Sequence, residues 1–314
     1  MLEQNKRIAE RCNIPQWHKA GFTGKGVKIG VIDLDNQLFP WMEDKVTKIE
    51  PTAFSTSGHC AKCFAVLMQI APDAEYYLLP GNGTKAYLKA LELDLDVVSV
   101  SLSSWQDDKV DEAYGNENCT TILFGAASND GGADGTDAIY PASYDWSICV
   151  AGVMAGNDGF YTTSSRNDDM DCCGYTFVHT KGKDENYITP FTGTSCATPW
   201  AAGVYALYRQ KVGKQNWKQA KEFIHKNCID YLEEGWDNWS GYGLFVLPDV
   251  EELDMKIEMT LGSTVAYVDG KQTTLLRAPE EKNGTTVVPI RFVAEALGCK
   301  VDYDNKTKKI TITK

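Results

Sequence analysis

Between Gly26 and about Val153 the chain alternates short runs of aliphatic and β-branched residues with runs whose apolar residues fall at helical spacing, and this rhythm narrows the fold more than any other feature. VKIGVID (27 to 33), EYYLLP (75 to 80), VVSVSL (97 to 102), TILFGAA (121 to 127) and SICVAGV (147 to 153) read as buried strands. Between them HCAKCFAVLMQI and TKAYLKALEL read as helices. The alternation predicts an α/β fold, a mostly parallel sheet with helices on its faces. Ligands bind such sheets at the carboxyl ends of the strands. That places Asp33, Ser103 and Asn129, each just past a strand, on the functional edge.

A second stretch, FTGTSCATPWAA (191 to 202), sets Ser195 among small residues just before an apolar run, and AAGVYALYRQKVG predicts a helix. Pro199 fits the first turn of that helix, where its missing N–H costs nothing. Ser195 then lies at or near a helix N-terminus, where positive potential and unpaired N–H groups favour developing negative charge. Two readings stand for it: a nucleophile, or a helix N-cap, the common role of serine at such a place.

The chain of 314 residues is long enough for one large domain or two smaller ones. Its formal charge of −12 argues against a nucleic-acid partner, because phosphate recognition needs clustered Lys and Arg. Residues 256 to 314 hold ten Lys and Arg against seven Asp and Glu, a formal +3, so residues 1 to 255 carry −15. The acidity belongs to the first part, where it favours solubility or attracts cationic peptides. There is no run of about 18 apolar residues, so no membrane span is expected. MLEQNKRIAERCNIPQW lacks an apolar core and a cleavage site, and no signal peptide is expected in the chain as it stands. Ten cysteines, with Cys172 and Cys173 adjacent, read as reduced thiols rather than a disulfide scaffold. The expected location is cytoplasmic, or extracellular or cell-surface if the chain has been trimmed.

A serine hydroxyl needs a base within hydrogen-bond reach, and the base needs a third group to hold it. Of four histidines, His18 in the N-terminal segment, His179 in a polar loop and His225 in a later helix read as surface or packing residues. His59 begins the helix SGHCAKCFAVLMQIAPDAEYY, and Asp33 ends the first strand, where a carboxylate can hold the far imidazole nitrogen. Singly, Asp33 reads as a turn residue and His59 as a helix-start residue. Together with Ser195 they ask for one explanation.

From about Asn13 to Pro248 the chain resembles the subtilisin-like serine proteases. The resemblance rests on Asp33 in KIGVIDLD, His59 in SGHCAKCFAVLMQIAPDAEYY and Ser195 in GTSCATPWAAG, in that order, with TGKGVKIGVID, YPASYDWSICVAGV and SGYGLFVLPDV in agreement. It implies a subtilisin-like, mostly parallel sheet with helices on both faces, and a serine endopeptidase acting on a peptide or protein substrate. Asp33 would orient His59, His59 would take the Ser195 proton, and Ser195 would attack the peptide carbonyl. Asn129, in FGAASNDGG, is implied as the oxyanion donor beside the Ser195 N–H; on its own it reads as a turn residue next to Gly131 and Gly132. Ser101, Leu102 and Ser103 are implied to hold substrate as an extended partner strand, with Ala127 and Ser128 lining the same cleft. A catalytically silent scaffold of the same shape, or a processing protease dedicated to one peptide, are the alternatives.

The chain departs from the family in several places. Asp35 stands where glycine is usual, and would raise the pKa of Asp33 or His59, or simply face water. Ser103, Ser104 and Ser128 replace residues that are commonly glycine around the pocket for the side chain preceding the scissile bond. They predict a narrowed pocket and a preference for small or unbranched side chains. Cys60, Ala61 and Lys62 replace a Gly-Thr-His run. Cys60 and Cys63 form a CxxC with no second paired motif, so no metal and no cofactor is expected, and both read as packing thiols. Cys60 is still expected to make the site sensitive to oxidation or thiol reagents, whereas Cys196 reads as packing. The resemblance implies a long propeptide, common in relatives; the expectation is either that it was removed or that the protein folds without one. Residues 1 to 12 form an N-terminal extension, expected to lie across the cleft as a short inhibitory arm.

Acidic PDVEELDMK (248 to 256) reads as a junction between domains at 1 to 250 and 251 to 314. Beyond it come strand-like MTLGSTVAYVDGK, turn-rich EEKNG, a helix through IRFVAEALG and the hairpin KVDYDNKTKKITITK, a small α+β domain. Through VDGKQTTL and GTTVVPIRFVAEALGCKVDYDNKTKKITIT it resembles the small domain named after the copper amine oxidase N-terminal domain. It has no histidine and only Cys299, so it lacks a copper ligand set. Attachment, partner binding or stabilisation is its expected work.

Overall fold

The computed structural model describes residues 1–49, 55–131, 139–250, 256–268 and 271–313. It divides into two compact units, Met1–Val250 and Glu251–Lys314. Among the described residues no helix is long and apolar enough to cross a membrane.

The first unit opens with two short helices, α1 (Lys6–Arg11) and α2 (Ile14–Lys19), which bury Ile8, Ala9, Ile14 and Trp17. This overturns the expectation of an inhibitory arm. Leu2 and Asn5 bond the side chain of Gln69, Asn5 also donates to the His179 carbonyl, and Arg7 reaches Asp158. The apolar residues of the segment are core residues, and burying them outweighs any gain from lying in an open cleft.

A nine-stranded sheet follows, built from β1 (Lys28–Asp33), β2 (Val46–Lys48), β3 (Glu75–Pro80), β4 (Val97–Val100), β5 (Ile122–Ala126), β6 (Ile148–Met154) and β7 (Met170–Thr176), with β10 (Cys228–Ile229) and β11 (Leu244–Phe245) at one edge. The order is β10-β11-β7-β6-β5-β4-β1-β3-β2, parallel throughout except for β10 against β11. Between β7 and the following helix, β8 (Val178–Lys181) and β9 (Ile188–Phe191) pair as a separate antiparallel ribbon, so His179 lies in a strand rather than in the expected polar loop.

Every residue of β4 and β5 is buried, as a parallel sheet covered on both faces requires. Alternation along β5 separates the faces. Leu123 joins Ile32, Val98 and Val100 in a cluster with Tyr87 of α4 (Thr84–Glu92) and Tyr114 of α5 (Asp108–Gly115). Its neighbour Phe124 packs on Tyr205 of α6 (Thr194–Val212), ring centroids 5.6 Å apart. Helix α3 (His59–Ile70) packs beside α6, and α7 (Trp217–Lys226) follows it in the chain.

Strand β1 sits between β3 and β4, so the chain first builds outward on one side of β1 and then returns to its other side. The strand order reverses at the junction of β1 and β4, the place where sheets of this kind hold their ligands.

The second unit is built from hairpins. β12 (Ile257–Met259), β13 (Val265–Val268) and β14 (Lys271–Thr274) form an antiparallel sheet. The EEKNG stretch, read as turn, is half of a hairpin: β15 (Glu280–Lys282) meets β16 (Thr285–Val287) across Asn283 and Gly284, both at positive φ. Helix α8 (Ile290–Ala296) precedes the hairpin of β17 (Lys300–Asp304) and β18 (Lys309–Thr313). Among the described residues of this unit the buried apolar ones are Ala266, Leu275, Ala294 and Val301.

Candidate active site

Asp33 is the last residue of β1 and only 4% exposed. One carboxylate oxygen accepts the Asp35 backbone N–H at 3.0 Å, and the other lies 2.6 Å from His59 Nδ1. His59 is the first residue of α3, with its ring partly exposed and edge-on to Phe191. A carboxylate at Nδ1 keeps the proton of neutral imidazole on that nitrogen, which leaves Nε2 as an acceptor.

Ser195 is the second residue of α6. The N-cap is Gly193, at φ 85°, a conformation few other residues adopt without strain, and it makes no side-chain capping bond. Ser195 lies inside the helix, so the N-cap reading of it fails. Pro199 is also displaced from the expected first turn: it is the sixth helical residue, in the helix interior. Lacking an N–H, it leaves the Ser195 carbonyl without its helical donor. That carbonyl instead accepts the Ser101 hydroxyl at 3.0 Å, with the Cys63 thiol at 3.7 Å. In return the Ser195 hydroxyl donates to the Ser101 carbonyl at 3.3 Å. β4 ends at Val100, two residues short of the expected Leu102.

Asn129 lies in the exposed loop after β5. Its side-chain oxygen accepts the Thr194 N–H at 2.8 Å and lies 3.3 Å from the Thr194 hydroxyl. With the oxygen anchored to the start of α6, the amide NH2 is left to donate, and it has no partner among the described residues. Thr194 gave no signal in the sequence beyond its place in GTS.

Along the substrate segment, Ser101 and Ser103 flank Leu102, and Trp105 beyond them is 90% exposed. Ala127 is buried. Ser128 has φ 79° and its hydroxyl donates to Asp130 at 2.8 Å. Asp35 does not face water: it is 1% exposed, and its carboxylate accepts from Gln37, Ser57 and His59.

The cysteine expectation changes as well. Cys60 is fully buried, and burial together with the charges of Asp35 and Asp33 pushes its thiol well up, so the reactive thiolate is disfavoured and sensitivity through Cys60 is not supported. Among the described residues, ligand atoms of Asp33, His59 and Cys63 lie within 4.8 Å of one another. Two of the three already share a hydrogen bond, and burial holds the Cys63 thiol well above its ordinary range, against the thiolate a metal needs. The other histidines serve packing: His18 Nε2 meets the Ile70 carbonyl at 2.6 Å, and His225 Nε2 meets buried Asp171 at 2.7 Å, beside Lys221. A cavity of about 570 Å³ at Met1, Trp41, Met68 and Gln69 lies toward the opposite end of α3 from His59.

The sheet order, with Asp33 and His59 in contact at its carboxyl edge and Ser195 tied to Ser101 just past β4, defines an α/β protein whose candidate site lies at a topological switch point. Residues 76–243 match the model of the subtilase family, and the chain belongs to that family. The matched span contains Asn129 and Ser195; Asp33 and His59 precede it. Residues 249–312 match the copper amine oxidase N-terminal domain. The chain is 28% identical over 265 residues to the minor extracellular protease Epr of Bacillus subtilis, covering 75% of this chain and 40% of that protein. It is 27% identical over 260 residues to subtilisin Savinase of Lederbergia lenta, covering 74% of this chain and 94% of that protein. A crystal structure of a lanthipeptide protease superposes with a TM-score of 0.64 at 20% identity, over 76% of this chain and 91% of the other, a likeness of fold.

Proposed function

We propose that the protein is a serine endopeptidase acting on peptides or proteins through Asp33, His59 and Ser195. The observation that carries the reading is the 2.6 Å contact between Asp33 and His59 Nδ1 at the carboxyl edge of the sheet. Rotation of the Ser195 side chain releases its hydroxyl from the Ser101 carbonyl and turns it to His59 Nε2. As Ser195 Oγ bonds to the peptide carbonyl carbon, its proton passes to Nε2, and Asp33 stabilises the imidazolium. The negative charge moves to the carbonyl oxygen, where the Ser195 N–H and the Asn129 amide donate to it. His59 then returns the proton to the leaving amine as the C–N bond breaks. Water, deprotonated by the same imidazole, hydrolyses the acyl-enzyme and restores Ser195.

Ser101, Leu102 and Ser103, with Ala127 and Ser128, hold the substrate backbone and the side chain before the scissile bond. The ten free cysteines support work in a reducing, cytoplasmic setting. Residues 251–314 serve attachment or partner binding, a role supported by the exposed Tyr303, Ile310 and Ile312. Treating the wild type and Ser195→Ala with a fluorophosphonate and recording intact masses tests the activity. A single adduct on the wild type alone is expected. A folded wild type that takes no adduct defeats the reading in favour of a silent scaffold.

A further inference from the structure

Helix α3 carries His59 at its first position and needs acceptors for its first amides. The preceding residue, Gly58, has no side chain with which to supply one. The Ser57 hydroxyl accepts the His59 N–H at 3.3 Å, but the shorter bond goes to an acceptor from another part of the chain. Asp35, two residues past β1 and buried, receives the His59 backbone N–H at 2.5 Å and the Ser57 hydroxyl at 3.0 Å on one oxygen, and the Gln37 N–H at 2.8 Å on the other. Its own N–H donates to Asp33 at 3.0 Å. One residue therefore grips the Asp33 carboxylate through its backbone and the His59 backbone through its side chain.

We propose that Asp35 is a positioning residue that sets the Asp33–His59 geometry by clamping the start of α3 to the loop leaving β1. The inference rests on the reading of that pair as catalytic. A buried carboxylate survives only when its oxygens are hydrogen-bonded, and here three donors meet it. Negative charge is also favourable at a helix N-terminus. Because His59 is the first helical residue, a shift of the helix start moves its ring by a similar distance. A misplacement of about 1 Å at a reacting group costs on the order of 10²-fold in rate. Glycine at this position keeps the N–H that Asp33 accepts but loses the clamp on His59 and Ser57. Asp35→Gly therefore removes the carboxylate with its bonds to His59, Ser57 and Gln37, while Asp35→Asn removes the charge and keeps an acceptor.

The full-length wild type, Asp35→Gly and Asp35→Asn are compared by thermal midpoint, by rate of fluorophosphonate labelling, and by the low-field NMR resonance of the His59 Nδ1 proton, identified by its loss in His59→Ala. The proposal expects Asp35→Gly to broaden or shift that resonance and to slow labelling by about 10-fold to 100-fold. Asp35→Asn, which keeps one acceptor oxygen, falls between. A purely structural role lowers the midpoint but leaves the resonance and rate of the folded protein unchanged, and that result overturns the proposal. If Asp35→Gly does not fold, Asp35→Asn decides by the same resonance: altered supports the clamp, unchanged refutes it. If the wild type takes no label, the nucleophile reading falls by itself, and the resonance still decides the role of Asp35.

Discussion

In the proposed chemistry Asn129 has two jobs that pull on different atoms. Its side-chain oxygen holds the Thr194 N–H at the start of α6, and its NH2 group is the one left to meet an oxyanion. Truncation to alanine removes both. Asn129→Ala is expected to lower kcat by about 10²-fold to 10³-fold with KM little changed, because the donor acts on charge that exists only in the transition state; steady-state kinetics on a peptide checks this, and an equal rise in KM argues for a substrate-binding role instead. Ser128 makes a second test. A serine at φ 79° costs on the order of 1 kcal/mol that glycine avoids, and its side chain adds to the crowding expected from Ser103 and Ser104. Ser128→Gly is expected to stabilise the fold slightly and to raise turnover after Phe or Tyr relative to Ala, whereas the wild type is expected to favour the small residue; strong cleavage after Phe or Tyr by the wild type sinks the idea of a narrow pocket. The sequence places Asn129 just past a strand, but its role, like the place of Ser128 by the pocket, came from the resemblance and not from its own neighbours, which read as a turn. The work of Asp35 came from neither. Its partners are 22 and 24 residues away, and nothing near position 35 says that a helix start will arrive there.

Elements were legible in proportion to their apolar content. β1, β3, β5 and α3 follow from buried runs and helical spacing, whereas α5 rests on a cap: Asp107 accepts the N–H groups of Lys109 and Val110, a polar signal with few apolar residues behind it. The docking of α1 was hidden for a different reason, since its contacts lie more than 60 residues away at Gln69 and 151 away at Asp158. Arg7 meets Asp158 at 2.5 Å, and Tyr175 donates to the same carboxylate. Burial alone would raise the pKa of Asp158, but these hydrogen bonds outweigh it and hold the group below its ordinary 3.8. A carboxyl depressed in the folded state contributes stability above its unfolded pKa and loses it as pH falls through the folded value. Arg7→Ala is therefore expected to cost up to about 1 kcal/mol at neutral pH, since half the arginine is exposed. The deficit should shrink as the solution is acidified below 3.8, and urea unfolding of both proteins across that range measures it. A deficit that persists in acid assigns the effect to the packing of the arginine stem rather than to the ion pair.

At the scale of the molecule, the two units differ in charge and in core. Residues 1–255 carry the acidity and residues 256–314 a slight positive balance. The first unit buries whole strands and most of α6, while among its described residues the second buries only Ala266, Leu275, Ala294 and Val301 of its apolar side chains and leaves Leu276, Val287, Tyr303 and Ile310 exposed. A unit of this size sits close to the lower limit for folding alone, so its stability is expected to be the smaller of the two. Every residue invoked in the proposed chemistry, from Asp33 to Ser195, belongs to the first unit. Two transitions are therefore expected in calorimetry, the smaller one first, and residues 1–250 expressed alone should keep the larger transition and label with fluorophosphonate at the full-length rate. Loss of labelling on removing residues 251–314, with the larger transition intact, would mean that the second unit supports the site itself, and its role would shift from attachment to completing the enzyme.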